Sequence, residues 1–112
     1  MKVMVIDFAN TDHIMDILPK GLKILVEKKD GGQAYKITGE ELPDMIFVNY
    51  KDKPSHGRQT ANSIKERKKT SKIPIYFVDG NEIENEKVKH IGLCINSKEV
   101  NKYVQTDKNT GR

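Results

Sequence analysis

Three of the chain's densest apolar runs close on a polar side chain: Asp7 ends VMVID, Asn49 ends MIFVN, and Asp79 follows IPIYFV. Two carboxylates and an amide gathered at one edge could divide general acid from general base work, provided their surroundings split the carboxyl pKa values. A plainer account competes: a buried strand has to emerge into water, and charged residues belong at that exit. The sequence sets no nucleophile or histidine clearly beside these three residues, so the plainer account takes precedence and no catalytic residue is assigned.

Other reactive side chains are scattered. His13, His56 and His90 lie far apart without the spaced pairs of a zinc site, and the lone Cys94, inside the apolar run IGLCI, cannot complete one. Cys94 reads as a small buried hydrophobe, and His56, in PSHG, as an exposed loop histidine. The glycines of GGQAY match neither GxGxxG nor a phosphate loop ending in Gly-Lys-Ser/Thr. Neither a metal nor a cofactor is expected. Aromatic residues are few and sit mainly in apolar runs, so no base-stacking platform is evident.

Basic residues outnumber acidic ones by 20 to 16, a mild excess that leaves both signs over the surface. The densest group is KERKKTSK, with Lys65, Arg67, Lys68, Lys69 and Lys72 crowding the predicted end of one helix; Arg58 lies earlier on it. Cations there complement the negative end of the helix dipole, an explanation that outranks a phosphate-binding stripe.

The elements that must position these residues follow from hydrophobic periodicity. VMVID, LKILVE, MIFVNY, IPIYFVDG and the weaker LCI read as five strands, nearly continuous in apolar residues as parallel strands covered on both faces are. Between them TDHIMDIL has helical spacing, with Thr11 or Asn10 as cap and Pro19 and Gly21 as stop. Residues 30–42 support either a short helix or a hairpin turning on Asp30, Gly31 and Gly32. GRQTANSIKERKK and IENEKVKHI supply two further helices, and a short final one runs from Ser97 to Val104. Strands alternating with helices imply an α/β fold: a five-stranded parallel sheet with helices on both faces. At 112 residues one core is expected. It spans residues 1–105, and the wholly polar residues 106–112 form a disordered tail. The absence of a run near the roughly 20 apolar residues of a membrane span, together with the single cysteine, predicts a cytoplasmic protein.

The stretch PDMIFVNYKDKPSHG resembles the central segment of response-regulator receiver domains, which read P-D, four hydrophobic residues and D, then a loop with Pro and Gly. IPIYFVDG resembles their fourth strand; in both places a proline opens the strand, and the likeness runs to about Val104. It implies a flavodoxin-like fold and a pocket at Asp7, Asn49, Asp79 and Lys98. It also implies that the pocket is altered. Asn49 stands where receivers carry the phosphorylated aspartate, and an amide has no anionic oxygen with which to attack a phosphoryl donor. The acidic pair that holds Mg²⁺ is reduced to Asp7, which predicts weak or absent binding of that ion. Asp79 replaces the family's Ser or Thr, and Lys98 lies about one residue out of step with the family's lysine.

These departures agree on a degenerate receiver. The expected role is a phosphorylation-independent receiver-like signalling or protein-interaction module, not an enzyme, whose partner is another protein or a second copy. The alternative is a small basic nucleic-acid-associated domain using Arg58, Lys65, Arg67, Lys68, Lys69 and Lys72. Nucleic acid ranks below protein as a partner, and no membrane contact is expected.

Overall fold

The computed structural model describes residues 1–104. The domain end expected at residue 105 and the tail expected over 106–112 lie outside them. Five strands, β1 (Lys2–Ile6), β2 (Lys23–Glu27), β3 (Met45–Asn49), β4 (Ile75–Val78) and β5 (Leu93–Ile95), form one parallel sheet in the order β2-β1-β3-β4-β5. This is the flavodoxin-like order, in which the strand direction of winding reverses beside β1 and β3 and opens a crevice at their carboxyl ends.

Strand alternation divides the core in two. Met4, Ile6, Ile46, Val48 and Phe77 face one layer, where they meet Ala34, Ala61 and Ile64 together with Val88 and Ile91. Val3, Val5, Met45, Phe47 and Val78 face the other, covered by Ile14, Val100 and Val104. Every residue of β3 is buried, which accounts for its unbroken apolar sequence.

Helix α1 (Gly31–Glu41) resolves the open choice at residues 30–42. Both β2 and β3 run parallel to β1, so the chain between them has to cross over, which a hairpin cannot do. The Asp30 side chain accepts from the N–H groups of Gly32 and Gln33 and so caps the helix. Helix α2 (Pro54–Glu66) begins earlier than its apolar spacing predicts and stops sooner. The Thr70 hydroxyl donates to the Ile64 carbonyl at 2.6 Å, closing the helix end and leaving Lys68, Lys69 and Lys72 beyond it. Gly57 is required where α2 crosses β3, because a Cβ there would lie 2.9 Å from Val48 Cγ1.

Two predicted helices are shorter than expected. TDHIMDIL forms only one 3-10 turn at Met15–Ile17, since Asn10 and Asp12 take positive φ and the N–H groups of Thr11 and Asp12 turn back to the Asp7 carboxylate. Ile14 is buried nonetheless. Within IENEKVKHI only α3 (Glu82–Glu86) is helical; the chain continues in tight turns that still bury Val88 and Ile91. A 3-10 turn at Ser97–Glu99 leads into a helical segment over 100–104. Among the described residues no helix is long and apolar enough to cross a membrane.

Candidate functional site

Ile6 of β1 pairs with Val48 of β3, so the next residues along, Asp7 and Asn49, leave the sheet side by side. Both are buried. The Asn49 Nδ2 group donates to Asp7 Oδ1 at 2.8 Å, while its Oδ1 accepts from the Lys51 N–H at 3.1 Å. The two bonds fix the amide's orientation, since the flipped form would set oxygen against carboxylate and NH₂ against N–H. Asp7 Oδ2 accepts from the Thr11 N–H, the Thr11 hydroxyl and the Asp12 N–H, each at 3.1 Å. Burial pushes the Asp7 carboxyl up, but hydrogen bonds from Asn49, Asp12 and Thr11 outweigh it and hold the group below its ordinary range.

Asp79 does not touch Asp7 or Asn49 directly. It sits past the end of β4 with φ 62°, and its Oδ1 accepts from the Ser97 N–H at 2.8 Å. The link runs through two residues that sequence reasoning missed. Thr11 Oγ1 lies 2.9 Å from His13 Nδ1, and His13 Nε2 lies 3.4 Å from Asp79 Oδ2. A histidine therefore does stand beside the acidic edge, contrary to expectation. In sequence Thr11 read as a helix cap and His13 as a helix member; the signal against a helix there was the polar run NTD shortly after a strand-ending acid. His56, by contrast, is exposed and stacks on Phe8 with ring centroids 3.7 Å apart.

Lys98 is exposed on its 3-10 turn, and no hydrogen bond or ion pair joins it to Asp7, Asn49 or Asp79. A hard cation needs several free carboxylate or carbonyl oxygens. Here both Asp7 oxygens already accept hydrogen bonds and Asn49 turns its NH₂ toward them, so these residues do not fit Mg²⁺. Among the described residues, no three His, Cys, Asp or Glu side chains are grouped to hold a metal.

The basic stripe is split by the fold. Arg58 reaches Glu84 at 2.7 Å, and Arg67 lies 4.4 Å over the Tyr35 ring while donating to the Tyr35 carbonyl. Lys65 is half-buried, and Lys68, Lys69 and Lys72 are exposed past the helix end. Two of the six cations are thus engaged within the domain. Cys94 is half-buried, and burial pushes its thiol up, away from reactive thiolate.

With this geometry in view, solved structures supply the comparison. A candidate response regulator from Chloroflexus aurantiacus J-10-fl superposes with a TM-score of 0.74 at 14% identity, covering 94% of each chain. A response regulator from Desulfuromonas acetoxidans gives 0.70 at 17% identity over 97% of each chain. This chain has the receiver fold. The N-terminal domain of a response regulator receiver protein from Methanoculleus marisnigri JR1 agrees, with a TM-score of 0.65 at 16% identity over 99% of this chain and 97% of that one. No family model matches the sequence, and no curated protein does. The receiver-like domain thus keeps the sheet order and crevice, while Asn49 gives the crevice a neutral amide at the end of β3.

Proposed function

We propose that this receiver-like domain is a cytoplasmic, phosphorylation-independent signalling module that works by binding another protein or a second copy of itself, without catalysis, through a unit spanning residues 1–105. The observation that carries this reading is the buried hydrogen bond from Asn49 to Asp7. In the pocket that the resemblance marks as phosphoaccepting, it replaces an anionic nucleophile with a donor already committed to its neighbour. A protein partner is supported by the exposed apolar side chains of Ile83 on α3 and Leu93 on edge strand β5, 73% and 49% accessible. The departure of Arg58 and Arg67 from the basic stripe weighs against the nucleic-acid alternative.

Incubation with a small acyl phosphate followed by intact-mass measurement tests the first half of this reading. The expected spectrum is that of the unmodified chain, and a base-labile phosphoryl adduct on any aspartate overturns the reading. Light scattering across concentration and affinity capture from the native cytosol test the second half. A strictly monomeric chain that captures no protein defeats it.

A further inference from the structure

The cluster around Thr11 is one proton short. Its hydroxyl carries a single hydrogen, yet Asp7 Oδ2 at 3.1 Å and His13 Nδ1 at 2.9 Å both stand in position to accept it. A neutral imidazole cannot satisfy both of its own neighbours either, because one ring nitrogen donates and the other accepts. With the proton on Nε2, that N–H faces Asp79, but Nδ1 competes with Asp7 for the Thr11 hydrogen. With the proton on Nδ1, the Thr11 hydroxyl is free for Asp7, but the bare Nε2 faces the Asp79 carboxylate at 3.4 Å. Nε2 is shielded from solvent, so Asp79 is the group left for it to face.

We propose that His13 is a proton-operated latch whose protonation ties the connection between β1 and β2 to the end of β4. The imidazolium supplies both missing donors: Nδ1–H to Thr11 Oγ1 and Nε2–H to Asp79. The Thr11 hydrogen then goes to Asp7, and the Thr11 oxygen accepts from His13 and from Asn49 Nδ2 at 3.3 Å. A continuous chain of bonds results, from Asn49 and Asp7 through Thr11 and His13 to Asp79 and the Ser97 N–H.

Acidic groups approach His13 from more than one element. Asp79 faces the ring from the end of β4, and Asp7 lies behind Thr11 at the end of β1. On His13's own loop Asp12 is paired with Lys28, which follows β2, and Asp16 is exposed. From the turn after β5, Glu99 is engaged with the Asn96 N–H and Lys98 is exposed. Imidazole is also the side chain suited to switching between about pH 5 and about pH 8. The latch stands independently of any partner, since it involves only groups within the domain.

Backbone hydrogen exchange of residues 11–18, corrected for the intrinsic dependence of exchange on pH, tests it. Protection in the native chain should rise about tenfold between about pH 8 and about pH 6, the scale of one charge-assisted hydrogen bond. His13→Gln and Asp79→Asn should each abolish the rise. Protection that is flat in the native chain, or that rises equally in His13→Gln, overturns the proposal. If either variant fails to fold, the imidazole ¹⁵N shifts of the native chain decide: a ring still neutral at about pH 5 overturns it, and one with both nitrogens protonated there supports it.

Discussion

Asn49 and Asp7 meet through a 2.8 Å hydrogen bond in which the amide donates and the carboxylate accepts, both side chains buried at the carboxyl ends of adjacent strands. The pair is complementary only as it stands, and exchanging either member tests it.

Asn49→Asp sets two carboxylates against each other at this distance. One of them has to take up a proton at neutral pH or repel its neighbour, as in other close carboxylate pairs. Stability at neutral pH should fall by about 2–4 kcal/mol, the scale of an uncompensated buried charge, and recover in part toward about pH 5 as the pair protonates. Urea unfolding at the two pH values measures both. Added Mg²⁺ should stabilise the variant and leave the native chain unchanged.

The lowered pKa of Asp7 gives the acid limb its sign. The folded state holds this carboxyl below its unfolded value, so its contribution is complete above the unfolded pKa and lost as pH falls through the folded one. Urea midpoints measured from pH 6 downward should therefore decline below the ordinary carboxylate range, about pH 4. Asp7→Asn should flatten that decline.

Gly57→Ala places a methyl group 2.9 Å from the Cγ1 of buried Val48. Alanine gains up to about 1 kcal/mol in helix propensity, but overpacking a rigid β-branched neighbour costs about 1–3 kcal/mol. A net loss of about 1 kcal/mol is expected in chemical denaturation. A stabilised variant would show that α2 can lift from β3 without penalty.

Ile83→Ser changes a side chain that is 73% exposed. Thermal unfolding should shift by less than the equivalent of about 0.5 kcal/mol. Any partner binding or self-association through the β5 side should weaken at least tenfold by titration or light scattering.

Much of the fold was legible because strands buried on both faces are spelled in consecutive apolar residues, as MIFVN is, and such runs leave few alternatives to a parallel sheet. The local course between strands was less so. Spacing grouped Ile14 with Ile17 and Leu18, and Ile83 with Val88 and Ile91; Ile14, Val88 and Ile91 are buried, Ile17 and Leu18 half-buried and Ile83 exposed, because tight turns rather than full helices carry these segments. A helix at Thr11 loses because Asp7, a local residue in sequence, becomes a buried acceptor only once β3 stands beside β1 and Asn49 joins it; the loop's N–H groups then turn to that carboxylate.

The amino-acid sequence by itself determined the residue types at the strand ends, and with them the absence of an anionic oxygen at position 49. Only the tertiary structure decided that Thr11 and His13 connect Asp7 to Asp79, that Lys98 stands apart, and that Arg58 and Arg67 turn inward. The physical reason is that apolar burial repeats along the chain and can be read from spacing. Hydrogen bonds and ion pairs instead depend on distances of about 3 Å between groups that the sheet order alone brings together.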